Sequence, residues 1–119
     1  MTTYASPAVV LDVPDLAPSS AFIAEHLGFA PIASDATFAA FTHPSIDVRI
    51  IFTRSKASAS GALTGVQIGL IVEDVDADWE RLRDHAITAS EPQTMASGER
   101  FVLLTDGNGV TYRLVQWVV

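Results

Sequence analysis

The sequence has no cysteine among its 119 residues. That removes disulfides, thiol nucleophiles and thiolate metal sites together. Positive charge is scarce, with 7 Lys+Arg against 14 Asp+Glu and a formal net charge of −7. No basic stripe interleaved with aromatics occurs, so nucleic acid is not an expected partner. Histidine occurs three times, at His26, His43 and His85, and none forms an i, i+4 pair of the kind that holds a metal on a helix. No Gly-x-Ser-x-Gly elbow and no phosphate-binding glycine loop is present. No apolar run approaches the roughly 18 residues of a membrane helix. Residues Met1 to Pro7 lack a charged start and a long apolar centre, so no signal peptide is expected and the cytoplasm is the expected compartment.

Apolar residues make up 49% of the chain and charged ones 18%, which is the balance of a folded globular domain with a core of its own. The densest local signal is Asp106-Gly107-Asn108-Gly109, a turn built from residues that accept positive φ cheaply. It lacks the later acidic ligands of a calcium loop and reads as a turn alone. The strand after it alternates. Val110, Tyr112, Leu114 and Gln116 share one face, and Thr111, Arg113, Val115 and Trp117 share the other. The first face reads as core. The second mixes a cation, a hydroxyl and an indole, and it reads as a pocket wall with Arg113 at its centre.

Taken in order, Pro7 to Val13 reads as a strand with Val9, Leu11 and Val13 on one face and Ala8, Val10 and Asp12 on the other. A helix follows from about Pro18 to Leu27, capped by Asp15, buried through Phe22, Ile23 and Leu27, and ended by Gly28. Strands are expected at 29–33, 37–42 and 46–52. Residues 53–65 are small, polar and aperiodic, and read as a linker. The pattern then restarts with a strand at 66–73. Next comes a helix capped by Asp74 or Asp76 and buried through Val75, Trp79 and Leu82. Strands at 87–91, 100–105 and 110–118 complete it.

The restart is a repeat. Residues 9–16 align without a gap on residues 68–75, so that Asp15 matches Asp74 at an offset of 59. Val48-Arg49-Ile50-Ile51 likewise matches Tyr112-Arg113-Leu114-Val115. The reading is an α+β domain over 1–119. It consists of two tandem βαβββ modules, 1–52 and 66–119, that form a curved mixed sheet with helices outside.

This plan resembles the vicinal oxygen chelate superfamily: glyoxalase I, extradiol dioxygenases, fosfomycin resistance enzymes and bleomycin-type drug-binding proteins. The resemblance rests on Val13-Pro14-Asp15-Leu16 before a helix ending Leu27-Gly28-Phe29, and on Val72-Glu73-Asp74-Val75 in the second copy. It rests also on Asp106-Gly107-Asn108-Gly109, where the family commonly has Asp-Pro-x-Gly. It implies metal-ligand positions at Ala8, Arg49, Gln67 and Arg113. Ala8 has no donor atom, the guanidiniums repel a divalent ion, and Gln67 is a single neutral ligand. No catalytic metal or other cofactor is expected, and metal-dependent lyase, dioxygenase or transferase chemistry is not the expected activity.

Parity places Asp12, Arg49, Gln67, Thr111, Arg113 and Trp117 on the inner wall, together with Phe38, whose parity opposes that of Phe41 on the same strand. Such a lining suits a flat, partly aromatic guest, stacked by Trp117 and hydrogen-bonded by the arginines. Trp117 has an alternative role as a packing plug. Asp12 is the candidate general base, and a salt bridge from it to Arg49 or Arg113 is the favoured reading. The small metal-free members that the chain most resembles are drug-sequestering resistance proteins. They imply a homodimer with the guest in grooves shared between subunits, bordered by loop 53–65. The expected function is therefore non-covalent sequestration of an aromatic or quinone-type antibiotic. The alternatives are a metal-free enzyme of secondary metabolism or detoxification, and a domain whose cavity is closed.

Overall fold

A computed structural model of the chain describes residues 1–54, 66–85 and 89–117. The chain divides into two compact units, Met1–Ala62 and Leu63–Val119. The first contains β1 (Ala8–Val13), α1 (Leu16–His26), β2 (Ala30–Ser34), β3 (Phe38–His43) and β4 (Ile46–Arg54). The second contains β5 (Gln67–Ile71), α2 (Val75–Arg83), β6 (Gln93–Thr94), β7 (Glu99–Thr105) and β8 (Thr111–Trp117). Each unit has its own four-stranded sheet, in the orders β1-β4-β3-β2 and β5-β8-β7-β6. In both, the first strand runs parallel to the last and the remaining pairs are antiparallel. A parallel pair needs a crossover connection, and the helix lies within it.

The repeated aspartates are the helix caps. Asp15 and Asp74 both have extended backbone, and their carboxylates accept hydrogen bonds from the amides of Ala17 and Ala77 at 3.2 and 3.1 Å. Helix α1 therefore begins at Leu16, two residues before the proline expected to open it. Pro18 costs nothing there, because first-turn amides have no intrahelical acceptor. Gly28 ends α1 at φ 76°, and the Phe29 amide bonds back to the Ile23 carbonyl at 3.0 Å. A side chain at Gly28 would also meet His43 Nε2 at 3.3 Å.

Alternation decides what is buried. Leu11, Val13, Ile50 and Phe52 join Phe22 and Ile23 of α1 in the first core. Ile68, Val102, Leu104, Tyr112 and Leu114 join Val75 and Leu82 of α2 in the second. Trp79, expected in that core, is only half-buried and lies at the rim of the stripe, where the Arg83 guanidinium covers it at 4.8 Å. The strand expected at 87–91 differs as well. Residues 86–88 lie outside the described residues, Ala89 makes a single bridge to Leu104, and the strand that pairs with β7 is Gln93–Thr94. Pro92 has no amide to donate and separates the two contacts. The linker expected from residue 53 is shorter at its start, since β4 runs on to Arg54, and 55–65 lie outside the described residues.

Polar contacts tie α2 to its sheet. The Val75 amide donates to Gln116 Oε1 at 2.9 Å. Arg100 grips Asp76 through two nitrogens at 2.9 and 2.7 Å, and these hydrogen bonds hold the Asp76 carboxyl below its ordinary range. The turn between β7 and β8 is organised by Asp106, whose carboxylate is buried. It accepts from the amides of Asn108 (2.9 Å) and Val110 (3.0 Å) and from the Tyr112 hydroxyl (3.0 Å). Gly109 supplies the left-handed residue at φ 82°.

Removing the acceptor is expected to cost more than removing the hydroxyl. Asp106→Ala leaves buried donors unpaired and should lower unfolding free energy by about 2–4 kcal/mol, against about 1 kcal/mol for Tyr112→Phe. Urea denaturation with matched m-values checks the order. Burial, then the charge and hydrogen bond of Asp106, push the Tyr112 phenol well above its ordinary 10.0. The folded value is raised, so this contribution is complete below pH 10 and is lost as pH rises towards the folded value. The native protein should therefore lose stability above pH 10 more steeply than Tyr112→Phe, a difference that denaturation midpoints between pH 9 and 11 would reveal.

Candidate ligand-binding site

Each sheet carries its helix on one face, and the residues of opposite parity lie on the other. In the first sheet that open face is a set of rows. Asp12, Thr53 and Phe38 are direct cross-strand partners; Val10, Ile51 and Ala40 form the next row; Ala8, Arg49 and Thr42 form the next. Phe38 is thus on the open face, while Phe41 is buried on the helix side against Phe52. The Asp12 carboxylate accepts the Thr53 hydroxyl, not an arginine. The expected ion pair to Arg49 fails on distance, since Asp12 stands four residues along the strand from Arg49's partner Ala8, about 13 Å away. Arg49 is exposed.

The second sheet places Gln67, Thr111, Arg113 and Trp117 on its open face, with Gly69, Ile71, Val115, Phe101 and Glu99. Arg113 does not project freely. Its Nε donates to Glu99 Oε1 at 2.7 Å, and one Nη stands 2.7 Å from the same oxygen. The same Nη reaches Met95 Sδ at 3.5 Å, and the guanidinium carbon lies 3.7 Å from the Phe101 ring centre. Phe101 is buried although it faces away from α2, because Arg113 roofs it. The cation expected at the centre of the wall is therefore present but already compensated. Glu99 was not among the expected site residues. Counting back through the hairpin from the 106–109 turn sets it opposite Trp117 and on the Arg113 face. Trp117 is 52% exposed and Ile71 75% exposed, so the indole is no packing plug.

Register also separates the two arginines. Ala8 pairs with Arg49, but Gln67, which the repeat aligns with Ala8, pairs with Thr111. Arg113 stands two residues further along, opposite Gly69, so the expected equivalence of Arg49 and Arg113 is displaced by one same-face position. The corner rows are thus Ala8 with Arg49 and Gln67 with Thr111. They offer an amide, a hydroxyl and a guanidinium, and neither carries a carboxylate or an imidazole. Among the described residues no three His, Asp or Glu side chains come together. This donor chemistry does not fit a divalent ion.

The sequence profile of the Glyoxalase/Bleomycin resistance protein/Dioxygenase superfamily matches residues 6–114. The chain belongs to that superfamily. No curated protein matches this superfamily member by sequence. Among solved structures, TnmS3, an antibiotic binding protein from Streptomyces sp. CB03234, is 20% identical and covers 98% of both chains at a TM-score of 0.79. A bleomycin-binding protein solved with bleomycin is 21% identical, covering 97% of this chain and 98% of its own at 0.71. Lactoylglutathione lyase from Agrobacterium tumefaciens is 16% identical, covering 98% of this chain and 96% of its own at 0.77. The likeness is one of fold, and the fold is shared by drug-binding and lyase neighbours alike. No helix among the described residues is long and apolar enough to cross a membrane.

If the corner rows hold no divalent ion, millimolar Mn²⁺, Ni²⁺ or Zn²⁺ should leave the melting temperature of the EDTA-dialysed protein within about 1 °C. Differential scanning fluorimetry checks this, and a saturable rise of several degrees would contradict it.

Proposed function

We propose that this protein binds a flat aromatic natural product, of the antibiotic or quinone kind, and holds it unreacted, so that it confers resistance by sequestration. The observation that carries the reading is the open face of the second sheet. There an exposed indole, Trp117, shares the face with a guanidinium whose carbon lies 3.7 Å from the Phe101 ring centre. Such a face binds by stacking and burial. The corner rows, with their alanine and arginine, lack the Lewis acid site that lyase and dioxygenase chemistry on this fold would use. The antibiotic-binding neighbours support the same reading. In this proposal Asp12, Phe38, Arg49, Gln67 and Thr111 are further guest contacts, the protein acts in the cytoplasm, and two copies pair.

The alternative is a metal-free enzyme on the same scaffold, with Asp12 as base. It is the weaker reading, because the Asp12 carboxylate is exposed and occupied by the Thr53 hydroxyl. A panel of polycyclic antibiotics titrated against tryptophan emission, with and without EDTA, separates the two. Sequestration predicts a saturable quench that chelator does not change, with the compound recovered intact by mass spectrometry. Trp117→Ala should weaken that binding about tenfold, the scale of one lost stacking contact. Conversion of the compound, abolished by Asp12→Asn, would support the enzyme instead.

A further inference from the structure

Among the described residues Arg113 is the one cation on the second open face, and its charge is already matched. Glu99 is mostly buried, with 19% of its side chain exposed, and Arg113 shows 23% of its own. One carboxylate oxygen of Glu99 faces two guanidinium nitrogens at 2.7 Å. The guanidinium plate is held from below by the Phe101 ring at 3.7 Å and at its edge by Met95 Sδ at 3.5 Å. Trp117, the direct cross-strand partner of Glu99, flanks the pair with half its surface exposed.

We infer that this face selects a neutral planar aromatic guest over its carboxylate analogue, with Glu99 as the residue that sets the choice. The inference deepens the binding function proposed above and rests on it. A carboxylate guest that takes the Nε–Nη edge of Arg113 must displace Glu99 from it, and that leaves Glu99 unpaired in a mostly dry position. If it does not displace Glu99, it meets a pair of no net charge and brings a second carboxylate beside the first. A neutral ring system meets neither cost. It stacks on the outer face of the guanidinium, which the pairing with Glu99 and Phe101 has already oriented, and abuts the Trp117 indole. A guanidinium free to rotate would instead favour the anion.

The test uses 2-naphthol, neutral at pH 7, and 2-naphthoate, ionised at pH 7, as matched probes. Binding is followed by the Trp117 indole N–H resonance, assigned with Trp79→Phe. The native protein should bind 2-naphthol about tenfold more tightly than 2-naphthoate. Glu99→Gln should tighten 2-naphthoate about tenfold while leaving 2-naphthol within about twofold. Arg113→Lys, which keeps the charge but not the plate, should loosen 2-naphthol about tenfold; it serves alone should Glu99→Gln fail to fold. A native preference for 2-naphthoate would overturn the inference, as would a Glu99→Gln effect equal on both probes, while the binding function stands. No movement of the Trp117 resonance with either probe removes the binding face itself, and the inference falls with it.

Discussion

The buried carboxylate of Asp106 sets the register of the last hairpin, and the candidate site depends on that register. Two turn amides and the Tyr112 hydroxyl converge on it, so the chain cannot slip at the turn without leaving buried donors unpaired. Slip of one residue would exchange the two faces of β8. Tyr112, Leu114 and Gln116 would leave the helix side, and Arg113, Val115 and Trp117 would enter the core. The same register sets Glu99 opposite Trp117 and Phe101 opposite Val115, which lets the long Arg113 side chain lie over one and end at the other.

The two units use one plan with different fillings. An aspartate caps each helix, and each helix crosses between parallel strands. On the open faces they diverge. The first presents Val10 and Ile51 between the Asp12–Thr53 pair and an exposed Arg49. The second presents the compensated Arg113 and an exposed indole. A shared fold with lyases and drug-binding proteins leaves these side chains to decide the chemistry, and the corner rows among them carry no carboxylate or imidazole.

Much of this was legible in the sequence, for physical reasons. Period-two alternation assigns faces, so Asp12, Phe38, Arg49, Gln67, Thr111, Arg113 and Trp117 all stand on the open sides where parity put them. The caps and the turn were legible because Asp, Asn and Gly act on backbone next to them in sequence. What escaped were contacts between strands. Glu99 is 14 residues from Arg113 along the chain, and only the hairpin register brings them together. The register of the parallel pairs, which separates Arg113 from Arg49, has no local signal at all. Trp79 escaped because helical spacing shows which stripe a residue belongs to, and not how deep in it the residue sits.

The central claim is that Arg113 lies over Phe101 and is closed by Glu99 before any guest arrives. The side-chain ¹⁵N–¹H spectrum of the unliganded protein at pH 7 measures this directly. The account predicts an Arg113 Nε–Hε resonance displaced by the Phe101 ring and exchanging slowly with water, both features lost in Glu99→Gln. An Arg113 resonance at the position of a solvent-exposed arginine, exchanging as fast as that of Arg49 and indifferent to Glu99, would contradict it.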